Sequence, residues 1–277
     1  MMDTGNEIVK RQIKQTITDM MKKVLTMAAV LTLAASSMMA QNTFKGIVKY
    51  KIESTGTTAM NLPPEIATAE IKVMGEQMYT KSYMFTQGAE VFVNGLKQTQ
   101  CADYSGAITY LTANGFEFEN YTGDGKFLIE QTFKAETFDS LEIKDTEPGH
   151  FYFEYVDSET KEIAGRKVYK LIQHYYNDEG KETQIVMWYA KEIGPAYNVI
   201  FEGIKGMPLE MTMNLGEGRA LTYTATEVVT GKVKEADFLF PDGFKKATKE
   251  DLEAFSADMR DAKEMGYIPS GGDDDDE

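Results

Sequence analysis

Cysteine is almost missing from this chain. Cys101 is the single one in 277 residues, so no internal disulfide can form. It sits in an alternating stretch and reads as a small, half-buried strand residue. Histidine is nearly as scarce. His150 and His174 lie 24 residues apart, one beside Pro148-Gly149 and one within a strand-like run, where it reads as structural. With no H-E-x-x-H pair and no Cys/His cluster, a zinc site has no support. No G-x-S-x-G elbow occurs, which leaves a Ser-His-Asp hydrolase without its signature. The glycine-rich pieces Thr122–Lys126 and Leu215–Arg219 lack the following helix that a phosphate loop needs, and read as hairpin turns. Carboxylate pairs abound, but in so acidic a chain they locate nothing. No catalytic residue, no metal ligand and no cofactor is therefore assigned.

Long apolar runs are also lacking. Val24–Ala35 is shorter than the ~20 residues of a membrane span. It follows Lys22 and Lys23 and precedes small residues ending at Ala40, the layout of a secretory signal peptide over 21–40. No cysteine stands directly after it, so no lipoprotein anchor is expected. Residues 1–20 precede the better start at Met21 and read as an upstream extension or as a long n-region. The expected compartment is the periplasm, with outer-membrane association or secretion as variants.

Positive charge is in short supply. The chain holds 29 Lys and Arg against 44 Asp and Glu, net −15. Five of the basic residues (Lys10, Arg11, Lys14, Lys22, Lys23) and three of the acidic ones (Asp3, Glu7, Asp19) precede Gln41, so residues 41–277 carry 24 and 41, net −17. Such a body repels nucleic acid and anionic lipid surfaces at long range, and nucleic acid is not an expected partner.

What the sequence does have is period-two alternation, which predicts a mainly β protein of roughly ten strands, mostly antiparallel neighbours. Val48, Tyr50 and Ile52 share one face, with Lys49 and Lys51 on the other. Turns are expected at Gly75-Glu76 and Asn94-Gly95. Residues 107–121 read as two strands joined at Asn114-Gly115, the strongest short hairpin signal. Long hairpins are expected about Asn177–Gly180 and Gly216–Gly218. In the run Ile185–Tyr189, Ile185, Met187 and Tyr189 face one way and Val186 and Trp188 the other. Both sets are apolar, so a helix, lid or ligand is expected on the second face.

Two segments depart from alternation. Residues 57–70, with Pro63-Pro64, read as a loop with a short helix. Residues 248–268 read as a C-terminal helix. Thr248 and Asp251 form a capping box, Leu252, Phe255, Met259 and Ala262 keep helical spacing, and Gly266 and Pro269 stop it. The expected organisation is thus an extension over 1–20, a signal peptide over 21–40, one β domain over 41–247, a helix over 248–268 and a solvated acidic tail over 269–277.

Methionine is the other positive signal. Ten of 17 follow Gln41, and methionine adapts to irregular apolar shapes. The apolar residues Met78, Met84, Ile185, Met187, Met211 and Met213 are candidates to line a cavity. Ordinary core filling is the plainer reading of any single one.

The run from Ile163 to Phe244 carries a family resemblance. An Ala164-Gly165 turn opens a hairpin ending in Trp188-Tyr189, Gly194-Pro195 follows, and then comes the segment from Gly203 to Glu210, "GIKGMPLE". This order resembles the GLPGLI-type and related LolA/LolB-like exported proteins of Gram-negative bacteria. The structural motif positions are Gly165, Trp188, Gly194, Pro195, Gly203, Gly206 and Pro208. Lys205 stands where the name-giving motif has proline. The resemblance implies an open antiparallel half-barrel of LolA-like type around one or more helices, whose concave side holds the acyl chains of lipids or lipoproteins. The glycine-rich segment is expected to connect two long strands, "NVIF" and "LEMTM". The leading functional expectation is a periplasmic, non-enzymatic binding protein for a lipid or other apolar ligand. The alternatives are an envelope protein with a filled core that binds a protein partner, and an enzyme of unassigned type.

Overall fold

The computed structural model describes residues 44–57, 59, 61–86, 88–216 and 218–268. The expected upstream extension, signal peptide and acidic tail lie outside the described residues. Twelve strands form one open sheet in the order β12-β6-β5-β4-β3-β2-β1-β11-β10-β9-β8-β7. They are β1 (Lys45–Gly56), β2 (Thr68–Met74), β3 (Gln77–Thr80), β4 (Glu90–Asn94), β5 (Lys97–Asp103), β6 (Lys126–Thr132), β7 (Phe151–Ile163), β8 (Arg166–Tyr176), β9 (Glu182–Ala190), β10 (Met207–Gly216), β11 (Arg219–Thr230) and β12 (Lys245–Lys246). Among the described residues, besides one short helical turn at Tyr83–Thr86, three longer helices accompany them: α1 (Ser105–Ala113), α2 (Ala135–Ser140) and α3 (Lys249–Glu264). All neighbouring strands are antiparallel except the two-residue β6–β12 pair. The protein is therefore mainly β, an open half-barrel with a C-terminal helix.

Alternation explains the central strands. On β1, Val48, Tyr50 and Ile52 are buried, and Lys49 on the other face pairs with Glu227 at 2.7 Å. The inner face continues across register partners, through Ile71 and Val73 of β2 and Met78 of β3 on one side, and Ala225 and Tyr223 of β11 on the other. β7 is a free edge. A register shift between Val156 and Thr160, with exposed Asp157, Glu159 and Glu162, keeps it from pairing with another strand.

The concave face is partly filled from within. A helical turn at Tyr83–Thr86 brings in Phe85, whose ring meets Tyr50, Phe201 and Tyr223 at centroid distances of 5.5, 5.2 and 5.3 Å. The segment joining β9 to β10 adds the buried Ile193, Val199, Phe201 and Ile204. "NVIF" is thus not a strand. Val199–Phe201 is a 3₁₀ turn, apolar because it is tucked against the sheet.

The expected hairpin over 107–121 is likewise corrected to a helix. Asn114-Gly115 ends α1 in a Schellman arrangement: Gly115 N–H donates to Thr112 O at 3.0 Å and Phe116 N–H to Leu111 O at 3.0 Å. Leu111 and Phe116 then pack together with Ala262 of α3. Asn-Gly fits both a helix end and a hairpin turn, and here the helix is selected by contacts with α3. Thr122–Lys126 is not a hairpin turn either, but part of the loop leading into β6.

α3 follows its sequence signals, with Thr248 and Asp251 closing a capping box at 3.0 Å. Phe255 packs on Phe127, Tyr121 and Ala102. Asp258, 1% exposed, accepts the N–H groups of Glu119, Asn120 and Tyr121 and the Asn120 carboxamide at 2.8 to 3.2 Å. Among the described residues no helix is long and apolar enough to cross a membrane.

Replacing Asp258 strands several buried donors at once. Asp258→Ala is expected to lower stability by about 3 kcal/mol or more, with Asp258→Asn intermediate because one oxygen remains to accept. Urea unfolding checks both, and an Asp258→Ala variant as stable as the parent would refute the role of this carboxylate.

Candidate functional site

A groove of about 780 Å³ opens on the concave face. Its floor comes from β8, β9, β10 and β11. Register sets Met187 opposite Leu171 and Met211, Ile185 opposite Gln173, and Met211 opposite Tyr223. Its wall is Phe85 together with Ile200, Phe201 and Ile204 of the inserted segment. Met187 and Met211 are buried, and Met213 is 40% exposed at the mouth beside Tyr175. The polar groups are few. Gln173 donates its Nε2–H to Glu202 Oε2 at 2.8 Å, and Thr183 and Asn214 lie at the margin. Burial raises the Tyr223 phenol above its ordinary value and keeps it neutral.

The inserted segment explains where the groove ends. Asn198 is fully buried and ties the segment into a loop. Its N–H donates to Ile204 O at 2.9 Å, its carbonyl accepts from Phe201 and Gly203, and its Nδ2–H donates to Gly206 O at 3.1 Å. Gly203 has φ +87°, and a Cβ there would lie 2.1 Å from Phe138 of α2. Gly206 has φ +123°, and a Cβ there would lie 2.4 Å from Ala190 O. Both positions exclude other residues on two counts. Pro208 sits at a register shift where β10 begins, and Tyr50 Oη donates to its carbonyl at 2.7 Å.

Lys205 has a structural account. Its Nζ lies 2.5 Å from Glu142 and 3.4 Å from Asp139, and 5.6 Å from the Tyr197 ring centre. Its N–H donates to the Tyr155 hydroxyl at 3.2 Å. Burial opposes the ammonium charge, but Glu142, Tyr197 and Asp139 together outweigh it and the group is held above its usual range. Lys205 braces the segment against α2 and β7.

Of the sequence-derived lining candidates, Ile185, Met187, Met211 and Met213 converge on this groove. Met78 is fully buried on the inner face between Val73 and Val93, in solid packing away from the groove. The Met84 side chain lies outside the described residues. Among the motif positions, Gly165 closes the β7–β8 turn, and Gly194 and Pro195 lead into the inserted segment. Trp188 lies on the opposite face, where Lys161 covers it at 4.4 Å from the ring centre. Among the described residues no helix or lid lies over the second face of β9, and Val186 is 41% exposed. Sequence reading missed Phe85, Ile200, Phe201, Ile204 and Tyr223, which supply the wall and part of the floor.

The chemistry-bearing residues lie elsewhere. His174 is buried outside the groove, stacked on Tyr152 at 4.5 Å between Glu182 at 2.6 Å and Glu154 at 3.0 Å. The Cys101 thiol is pushed up to about 11 by burial and then by Glu90, and is unreactive as a nucleophile. Asp145, Glu147 and His150 offer ligand atoms within 4.8 Å of one another on the exposed loop before β7, a grouping the sequence reading passed over. His150 Nδ1 is already engaged by Asp145 at 2.7 Å.

No family model and no curated protein sequence matches the chain. Solved structures do show similarity. The Mycobacterium tuberculosis lipoprotein LppX is 12% identical, with 73% of this chain and 96% of that one covered at a TM-score of 0.25. A LolA-superfamily protein from Nitrosomonas europaea is 9% identical, covering 75% and 97%, with a TM-score of 0.29. The Pseudomonas aeruginosa MucA/MucB complex gives 14% identity over 76% of this chain and 60% of that one, with a TM-score of 0.31. At these TM-scores the likenesses carry no functional weight.

Gly203→Ala combines left-handed backbone with a clash against Phe138, and is expected to cost about 3 kcal/mol. Lys205→Met removes a partly exposed ion pair and is expected to cost under about 1 kcal/mol. Thermal unfolding of both variants checks that order.

Proposed function

We propose that this chain is an exported, non-enzymatic binding protein that shelters an apolar ligand of the acyl-chain class in the concave groove. The observation that carries the reading is the groove itself, roofless toward solvent and floored by Ile185, Met187, Met211 and Tyr223. Its volume lies within the range of about 300–1,000 Å³ usual for small-molecule pockets. Each methylene taken from water contributes about 0.8 kcal/mol, so a short acyl segment gains useful affinity without any specific contact. Methionine suits this role because its unbranched chain adapts to an occupant of variable shape. No histidine or cysteine lines the groove, and its one carboxylate, Glu202, is held by Gln173. Those facts support binding over catalysis. An acidic body and a signal-like N-terminal run support export.

The half-exposed Met213 and Tyr175 at the mouth favour one further reading, in which an envelope protein inserts an apolar side chain there.

Protein purified from its native envelope and extracted with organic solvent is expected to yield a stoichiometric lipid by mass spectrometry. Met187→Glu and Met211→Glu place a charge on the groove floor and are expected to lower occupancy by about tenfold or more. An empty extract from the parent protein, with an envelope protein retained on it instead, would select the second reading.

A further inference from the structure

The inserted segment divides the concave face in two. Beyond it lies a second groove of about 500 Å³. Phe85 and Ile200 border both, while Val199 faces the second groove and Phe201 the first. The ridge between them is therefore a single 3₁₀ turn and one phenylalanine. The second groove differs in chemistry. Gln98 and Gln100 of β5 and Gln131 of β6 line it, with Gln98 directly opposite Gln131 in the ladder. They occupy the face that Val91 and Val93 present on β4. No hydrogen bond engages these three carboxamides among the described residues, which leaves them available to an occupant.

We propose that the ligand is an amphiphile with an uncharged, hydroxyl-bearing headgroup, its tail on the methionine side of the ridge and its headgroup among Gln98, Gln100 and Gln131. This rests on the acyl-chain reading of the first groove. A carboxamide offers two N–H donors and a carbonyl acceptor, and a hydroxyl offers one donor and accepting lone pairs, so sugar-like or glycerol-like groups match the three side chains. Among the described residues the linings of both grooves contain no Lys, Arg or His, and the one charged side chain there, Glu202, is on the tail side. A phosphate or carboxylate headgroup would be desolvated there without a counter-charge.

Calorimetric titration of the purified exported chain with dodecyl maltoside and dodecyl phosphate, below their micelle concentrations, tests this. The maltoside is expected to bind about tenfold more tightly. Gln98→Leu with Gln100→Leu should erase that preference by lowering the maltoside affinity to that of the phosphate. Gln100→Lys should shift the preference toward the phosphate, a gain that an unfolded variant cannot show. Equal affinity of the parent for both surfactants, or a maltoside preference that survives loss of the glutamines, overturns the headgroup assignment while the apolar groove stands. Failure of both surfactants to bind the parent overturns the groove reading and this proposal together.

Discussion

A sheet that curls without closing leaves an apolar concave face that water cannot be left to cover. In this protein the chain covers part of it with its own segment between β9 and β10. Such a segment must bring polar backbone into an apolar interior, and one residue solves most of that problem. Asn198 uses its N–H, its carbonyl and its carboxamide to close the segment on itself. Val199, Phe201 and Ile204 are then free to face the sheet. The position of this plug decides which inner-face residues become core and which become groove. Met78 and Met187 belong to the same inner face, yet only Met187 lines the groove that the plug leaves open.

The strands were legible because each inner face has a solvated partner face. On β1 the alternation of Val48, Tyr50 and Ile52 with lysines reads directly as a half-buried strand, and the β8–β9 and β10–β11 hairpins follow from their turn residues. α3 was legible through its capping box. α1 was not, because Asn-Gly serves a helix end and a hairpin equally, and what decides is the contact of Leu111 and Phe116 with Ala262, far along the chain. Val199–Phe201 failed for a related reason, since an apolar triplet buried as a plug looks like a buried strand. The groove methionines on β9 and β10 could be picked out by parity. Phe85, Ile200 and Phe201 could not, because they reach the groove through tertiary placement rather than through any period.

Lys205 shows how a departure from a motif can have its own physical logic. A proline at that position would supply rigidity but no N–H. Lysine keeps the N–H that donates to Tyr155, and its ammonium reaches Glu142 and Asp139 on and just after α2. The bracing that a rigid ring would give through the backbone is supplied here by contacts to two neighbouring elements. The flanking glycines remain because their demands are steric. One meets the ring of Phe138 and the other the carbonyl of Ala190.

The plug keeps one unmatched polar atom. Among the described residues Asn198 Oδ1 is buried without a hydrogen-bond partner, and an unmatched buried acceptor costs about 1–3 kcal/mol. The strands around it are tied by continuous ladders, whereas the plug is held by the apolar contacts of Val199, Phe201 and Ile204, the few hydrogen bonds of Asn198 and the Lys205 brace. Segments with fewer such bonds open at lower free energy than the sheet that carries them. Under the proposed binding role, release of a ligand would call for a groove wall of this kind, firm enough to define a volume and weaker than the floor. The same turn separates the methionine-lined groove from the glutamine-lined one, so a ligand spanning both, as proposed, would press on a segment that no ladder ties.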